Sequence, residues 1–89
     1  MEALGMIQTR GLVALVEASD TMLKSASLRF VGYEKSGDGM VSAFFRGSVA
    51  DCRYGTDCAA AAAQKTGEFL SARVIPAPWS DLDEKLPIK

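Results

Sequence analysis

The 89-residue sequence contains no histidine, and its only cysteines are Cys52 and Cys58. The absence of histidine removes the commonest general base of enzymes and a common zinc ligand. The two cysteines stand six positions apart on a predicted helix, so at about 100° per residue they point to different faces. They are expected to be small buried hydrophobic residues, and no catalytic group, cofactor or metal site is expected.

The charge balance and the hydropathy pattern exclude further classes of partner. The formal net charge is -1 and the basic residues are scattered, which argues against nucleic-acid binding. No run reaches the roughly 18 consecutive apolar residues that indicate a transmembrane helix. The first residues do not form a basic segment followed by an apolar one, so we expect no signal peptide and a cytosolic protein.

What the sequence does have is a large apolar fraction for its length. Hydrophobic residues make up 48% of a chain expected to form one domain over residues 1–89. So short a chain buries a smaller fraction of its surface than a large domain does. We therefore expect association with other subunits to bury the remaining apolar surface.

Apolar periodicity and turn residues predict the order β-α-β-β-α-β and a short final helix. Two interleaved split β-α-β units of this order form an α+β, ferredoxin-like fold, with a four-stranded antiparallel sheet and both helices on one face. The predicted elements are strand Ala3–Thr9, helix Gly11–Ser25, hairpin strands 28–33 and 40–45, helix Val49 to about Thr66, strand Phe69–Ile75, and a short helix at about Asp81–Leu86.

Local signals give details of both helices. Thr9 is expected to cap the first helix, where Asp20 and Lys24 form an i,i+4 pair. Ser48 and Asp51 have the spacing of a capping box for the alanine-rich second helix, and Gly67 is its expected C-cap. The apolar residues that recur at helical spacing in the first helix are Leu12, Leu15, Val16, Met22, Leu23 and Ala26.

The hairpin has a polar loop between two apolar strands, of which the second carries Phe44 and Phe45 on opposite faces. Its residues 34–39 have the sequence Glu-Lys-Ser-Gly-Asp-Gly. The glycines beside Asp38 offer no side chain to pack against it. The loop is therefore either a solvated turn or a surface that meets a partner.

Several separate segments resemble the hexamer-forming, single-domain shell proteins of bacterial microcompartments. They occur in order and together extend over essentially the whole chain. These segments are EALGMIQTRG at 2–11, EASD at 17–20, KSA at 24–26, VGYEK at 31–35, residues 41–47, TD at 56–57 with the alanines that follow, and VIP at 74–76.

The resemblance implies that six subunits form a flat hexagonal tile. Tiles of this family meet neighbouring hexamers and paralogues edge to edge, in a shell that encloses enzymes, which may be recruited through targeting peptides. The loop between the second and third strands converges on the six-fold axis as a metabolite pore. The matching positions here are Lys35, Ser36, Gly37, Asp38 and Gly39 for the pore, and Lys24 for the tile edge.

Two departures from the family pattern affect these expectations. Many relatives have a small neutral residue at Asp38, whereas six carboxylates here would repel anions. Relatives usually carry arginine at Ala77, where it is the usual edge partner, and often histidine at Trp79. Trp79 is therefore expected either to supply apolar area at the edge or to cover the core.

Three rival functions were weighed against a shell protein. An RNA-binding module shares the element order, but its spaced aromatic residues with basic neighbours are missing around Phe44. A small enzyme would need a nucleophile or base in a recognisable context, which the sequence lacks. A ferredoxin-like oligomeric domain that binds a regulatory ligand between subunits remains the main alternative, and a dimer or tetramer would indicate it.

Overall fold

The computed structural model of the chain describes residues 2–64 and 68–76. Six elements follow the predicted order: β1 (Ala3–Arg10), α1 (Leu12–Ser25), β2 (Arg29–Lys35), β3 (Met40–Gly47), α2 (Val49–Ala63) and β4 (Phe69–Ile75). The final helix predicted at 81–86, the expected cap Gly67, and the two edge positions Ala77 and Trp79 lie outside the described residues.

The four strands form one antiparallel sheet in the order β2-β3-β1-β4. This confirms the α+β, ferredoxin-like prediction, since β1 and β3 occupy the centre and the hairpin's first strand lies at one edge. In the central pair, Ile7 is opposite Ala43 and Gly5 is opposite Phe45, so these four side-chain positions face the same side of the sheet.

The hydrophobic core lies between that face and the two helices. Phe45 and Ile7 are fully buried there, whereas Phe44 is buried on the opposite face, as strand alternation predicts. The buried residues that form the core are Ile7, Leu15, Ala18, Met22, Val41, Ala43, Phe45 and Ala59.

The face by which α1 contacts the core differs from the predicted apolar stripe. Its buried residues are Ala14, Leu15, Ala18 and Met22, so alanine supplies half of the inward face. Leu12, Val16 and Leu23, which belong to the predicted stripe, are 48%, 60% and 45% exposed. The helix therefore has two neighbouring apolar faces, of which only one is covered within the chain.

The prediction that Thr9 caps α1 is wrong. The N-cap is Gly11, which has φ 86° and no side chain to cap with. Thr9 is the last buried residue of β1, and its hydroxyl donates a hydrogen bond of 3.1 Å to the Gly11 carbonyl. Because Gly11 adopts a positive φ, the chain turns abruptly from the strand into the helix.

The capping box at the start of α2 is confirmed in its main part. The Ser48 hydroxyl oxygen accepts a hydrogen bond of 3.0 Å from the Asp51 backbone N–H. The same hydroxyl donates to the Asp51 carboxylate at 2.9 Å, so the acid binds the cap side chain. The helix ends at Ala63, three residues before the predicted end.

Leu28, in the connection before β2, fills the gap between the end of β3 and α2. A Cβ atom added at Gly47 would lie 2.7 Å from the Leu28 side chain and 3.0 Å from the Ser27 carbonyl oxygen. A Cβ atom added at Gly55 would likewise lie 2.7 Å from Leu28. Both glycines therefore leave the space that Leu28 occupies.

Gly47→Ala should destabilise the protein by about 1–3 kcal/mol, because the new methyl group overlaps a side chain and a backbone carbonyl. Chemical denaturation at fixed protein concentration measures the change. Gly37→Ala is the matched control, since nothing lies within 4 Å of a Cβ atom there. Equal stability of the two variants would show that Leu28 moves away freely.

Candidate functional site

The loop that joins β2 to β3 is a tight turn closed by hydrogen bonds to one carbonyl. The Ser36 backbone N–H and the Ser36 hydroxyl both donate to the Met40 carbonyl, at 2.9 and 3.2 Å. This leaves a three-residue connection, 37–39, in which Gly39 has φ 80°. A left-handed last residue is typical of three-residue hairpin loops, and glycine adopts it without steric cost.

The loop is also attached to the start of α1. The Gly11 backbone N–H donates a hydrogen bond of 2.9 Å to the Gly39 carbonyl. Next to it, the Arg10 backbone N–H donates to the Glu68 carbonyl at 2.8 Å. The turn, the β1–α1 junction and the start of β4 are therefore joined at one end of the sheet.

The turn presents charged side chains to the surroundings. Asp38 and Lys35 are both exposed, and neither makes an ion pair or hydrogen bond to another residue within 2–64 and 68–76. Asp38 lies at the tip between two glycines that leave open space around it. Its carboxylate is thus available to whatever meets this end of the molecule.

Lys24 lies in the last turn of α1 and is 76% exposed at its side chain. Its ammonium group is 2.9 Å from the Asp20 carboxylate, which confirms the predicted i,i+4 pair. A cation in the last turn also interacts favourably with the helix dipole. An exposed pair of this kind contributes little to stability, so its value lies in where it places the charge.

The loop and Lys24 lie at opposite ends of α1. The hydrogen bond between Gly11 and Gly39 fixes the turn at the N-terminal end of the helix, and Lys24 is in its last turn. A helix of 14 residues is about 21 Å long at ~1.5 Å per residue. The sequence separation of these residues gives no hint of this arrangement.

An apolar groove along α1 is a surface that the sequence reasoning missed. It has a volume of about 470 Å³ and lies between α1 and the helix-facing side of β2. The uncovered apolar stripe of α1 could have revealed it, if the helix had been recognised as having two apolar faces. The groove is lined by Leu12, Leu15, Val16, Ser19, Asp20, Leu23, Phe30 and Tyr33.

The cysteines do not form a reactive or metal-binding centre. Cys52 is fully buried, and its burial, with a smaller effect of the Asp51 charge, raises the pKa of its thiol. Cys58 is partly buried, and its hydrogen bond to Tyr54 raises the pKa of that phenol. Within the described ranges no group of three or more His, Cys, Asp or Glu could hold a metal ion. Among the same residues, no helix is long and apolar enough to span a membrane.

Comparison with known families identifies the fold. The family described as "BMC domain" matches residues 3–78, which include both helices, all four strands and the hairpin turn. The chain belongs to the BMC-domain family. Its members are shell proteins of bacterial microcompartments and carboxysomes, so the resemblance found in the sequence is confirmed.

Three relatives show how far the likeness extends. The microcompartment shell protein EutM of Salmonella typhimurium is 57% identical over 88 residues, covering 99% of this chain and 92% of its own. The microcompartment shell protein PduA of Citrobacter freundii is 49% identical over 97% of this chain and 92% of its own. The carboxysome shell protein CcmK2 of Synechocystis sp. is 43% identical over 98% of this chain and 86% of its own.

A solved structure supports the same assignment. A microcompartment protein from Desulfitobacterium hafniense superposes with a TM-score of 0.86 at 26% sequence identity. The match covers 92% of this chain but 47% of that protein, so this BMC-domain chain spans about half of that neighbour's length. The fold and the family therefore agree.

In this BMC-domain chain, Gly39→Ala should destabilise the hairpin by about 1–2 kcal/mol, because a Cβ atom disfavours the left-handed conformation. Gly39→Asn should cost less, since asparagine adopts this conformation more readily. The midpoint of chemical denaturation reports both changes. Gly37→Ala, in the same turn but without a positive φ, is the control, and equal losses at positions 37 and 39 would refute the role of the turn geometry.

Proposed function

We propose that the chain, as a single domain over residues 1–89, forms a cyclic homohexameric tile of a bacterial microcompartment shell in the cytoplasm. The tile has a structural role and no enzymatic one. Its turn at 35–39 lines a central pore for small polar metabolites, and Lys24 lies at the edge shared with neighbouring tiles. The enclosed enzymes or their targeting peptides meet the assembled shell.

The observation that carries this proposal is the placement of the turn and Lys24 at opposite ends of α1. A subunit of a ring needs one end at the axis and the other at the rim, about one helix length apart. If the charged turn is at the axis, then α1 runs outward and delivers Lys24 to the perimeter. Membership of a shell-protein family makes this the favoured arrangement.

The dimensions of the chain suit a sheet-forming subunit. The Cα positions extend over 34 × 29 × 15 Å, so the molecule is a slab rather than a sphere. Slabs joined side by side around an axis make a thin plate, which can be joined to further plates at its edges. The edge positions Ala77 and Trp79 remain part of the proposal on the basis of the sequence alone.

The pore is proposed to disfavour anions. Six copies of Asp38 would form a ring of carboxylates, and rings of like charge select against ions of the same sign. The exposed Lys35 offsets part of that charge from the adjoining strand end. Neutral polar solutes and cations should therefore pass more readily than anions of similar size.

The alternative function, a ligand-binding regulatory domain of the same fold, predicts a smaller assembly. The apolar groove beside α1 would then hold a ligand between subunits. Native mass measurement separates the two functions, since the shell tile requires six chains and the alternative requires two or four.

Lys24→Ala should leave the hexamer intact but abolish or strongly reduce the growth of sheets, because it removes a cation from the rim without touching the core. Native mass spectrometry and electron microscopy at matched concentration read the two levels of assembly. Arg53→Ala removes an exposed cation from α2 and is the control. Sheets of normal extent from Lys24→Ala would place this lysine elsewhere than at the tile edge.

Asp38→Asn should raise the passage of anions relative to neutral solutes by about tenfold, since fixed charges in a narrow opening change local ion concentrations by that order. In closed shells with a fluorophore inside, the rates of quenching by iodide and by neutral acrylamide give the ratio. Asp57→Asn makes the same change at an exposed site on α2 and should leave the ratio unaltered. An unchanged ratio for Asp38→Asn would remove this residue from the pore.

A further inference from the structure

The apolar groove beside α1 contains most of the large apolar surface that the chain leaves exposed. Of the seven large hydrophobic side chains exposed in the described part of the chain, five line it: Leu12, Val16, Leu23, Phe30 and Tyr33. The other two are Val13 on α1 and Tyr54 on α2. A contiguous apolar surface of this kind marks an interaction site.

A β-bulge in β2 directs two aromatic residues into this groove. Phe30 pairs with Phe45 and Tyr33 pairs with Ala43, both of which face the helices. In a regular strand, residues three apart face opposite sides of the sheet. The register shift between Phe30 and Gly32 changes this, so both aromatic side chains lie on the helix-facing side at the uncovered edge strand.

The direction of the groove indicates its occupant. Its lining begins at Leu12, one residue from the Gly11 junction with the turn, and extends to Leu23, beside Lys24. It therefore follows α1 from the end with Asp38 to the end with Lys24. If those ends are the axis and the rim of a ring, the groove is a radial surface, where adjacent subunits of a ring meet.

On the basis of the proposed hexamer, we infer that this groove is the subunit interface of the ring and is filled by the neighbouring copy of the chain. Cyclic hexamers are closed by heterologous contacts, so the groove of one copy meets a different surface of the next. The aromatic pair Phe30 and Tyr33 and the aliphatic residues of α1 form its apolar anchor. Asp20 is the only ionisable residue in its lining, and it is already paired with Lys24.

Val16→Glu and Leu23→Glu test the inference, because both residues are exposed in the single chain and can be changed without opening the core. Each should convert the hexamer into monomers or small oligomers by native mass spectrometry, with an unchanged far-UV circular dichroism spectrum. Ala61→Glu places the same charge on the exposed face of α2 and should preserve the hexamer. If the groove variants remain hexameric, the inference is wrong although the hexamer stands. If the wild-type chain is not a hexamer, the proposed function itself fails.

The two tyrosines of the chain give a second measurement that needs no mutation. Tyr33 in the groove and Tyr54 on α2 are 50% and 59% exposed in the single chain. Hydroxyl-radical footprinting of the intact wild-type assembly should find Tyr33 at least fivefold less oxidised than Tyr54. Similar oxidation of both residues in a confirmed hexamer would overturn the assignment of the groove.

Discussion

Close approach between the helices and the sheet is the constraint on which the rest of this structure depends. α1 turns Ala14 and Ala18 inward, and α2 turns Gly55, Ala59 and Ala63 inward. Small side chains let the layers come together, and a molecule only 15 Å thick in Cα extent results. Because so little room remains inside, larger apolar residues of α1 stay outside, and the slab needs a neighbour to bury them.

This constraint explains which parts of the fold the sequence could predict. Strand alternation and turn residues identified all four strands, and Ser48 marked the start of α2, since these signals are local. The inward face of α1 was missed because leucine and valine give a stronger periodic signal than alanine, although alanine faces the core. The bulge near Gly32 was missed because it follows from pairing with Phe44 and Phe45, which no local pattern in β2 reports.

The candidate site divides in the same way. The positions of the turn and of Lys24 came from the likeness to a family, and their charges could be read directly. What could not be read was that one helix connects them, because this depends on the hydrogen bond from Gly11 to Gly39. Gly11 looks like a weak helix start in the sequence. In the fold its positive φ sets the angle at which α1 leaves the sheet and thus the direction of the rim lysine.

The two apolar faces of α1 separate folding from assembly. Its inward residues, such as Met22, are fully buried within one chain, so changes there act on folding before any partner is met. Its outward residues, such as Val16, are exposed in one chain and can change association with little effect on folding. A shell subunit must remain folded before it finds five others, so stability cannot depend wholly on the ring. The division of one helix between a core of small residues and an outer surface of large ones meets both demands, and it places the cost of a poor partner on assembly alone.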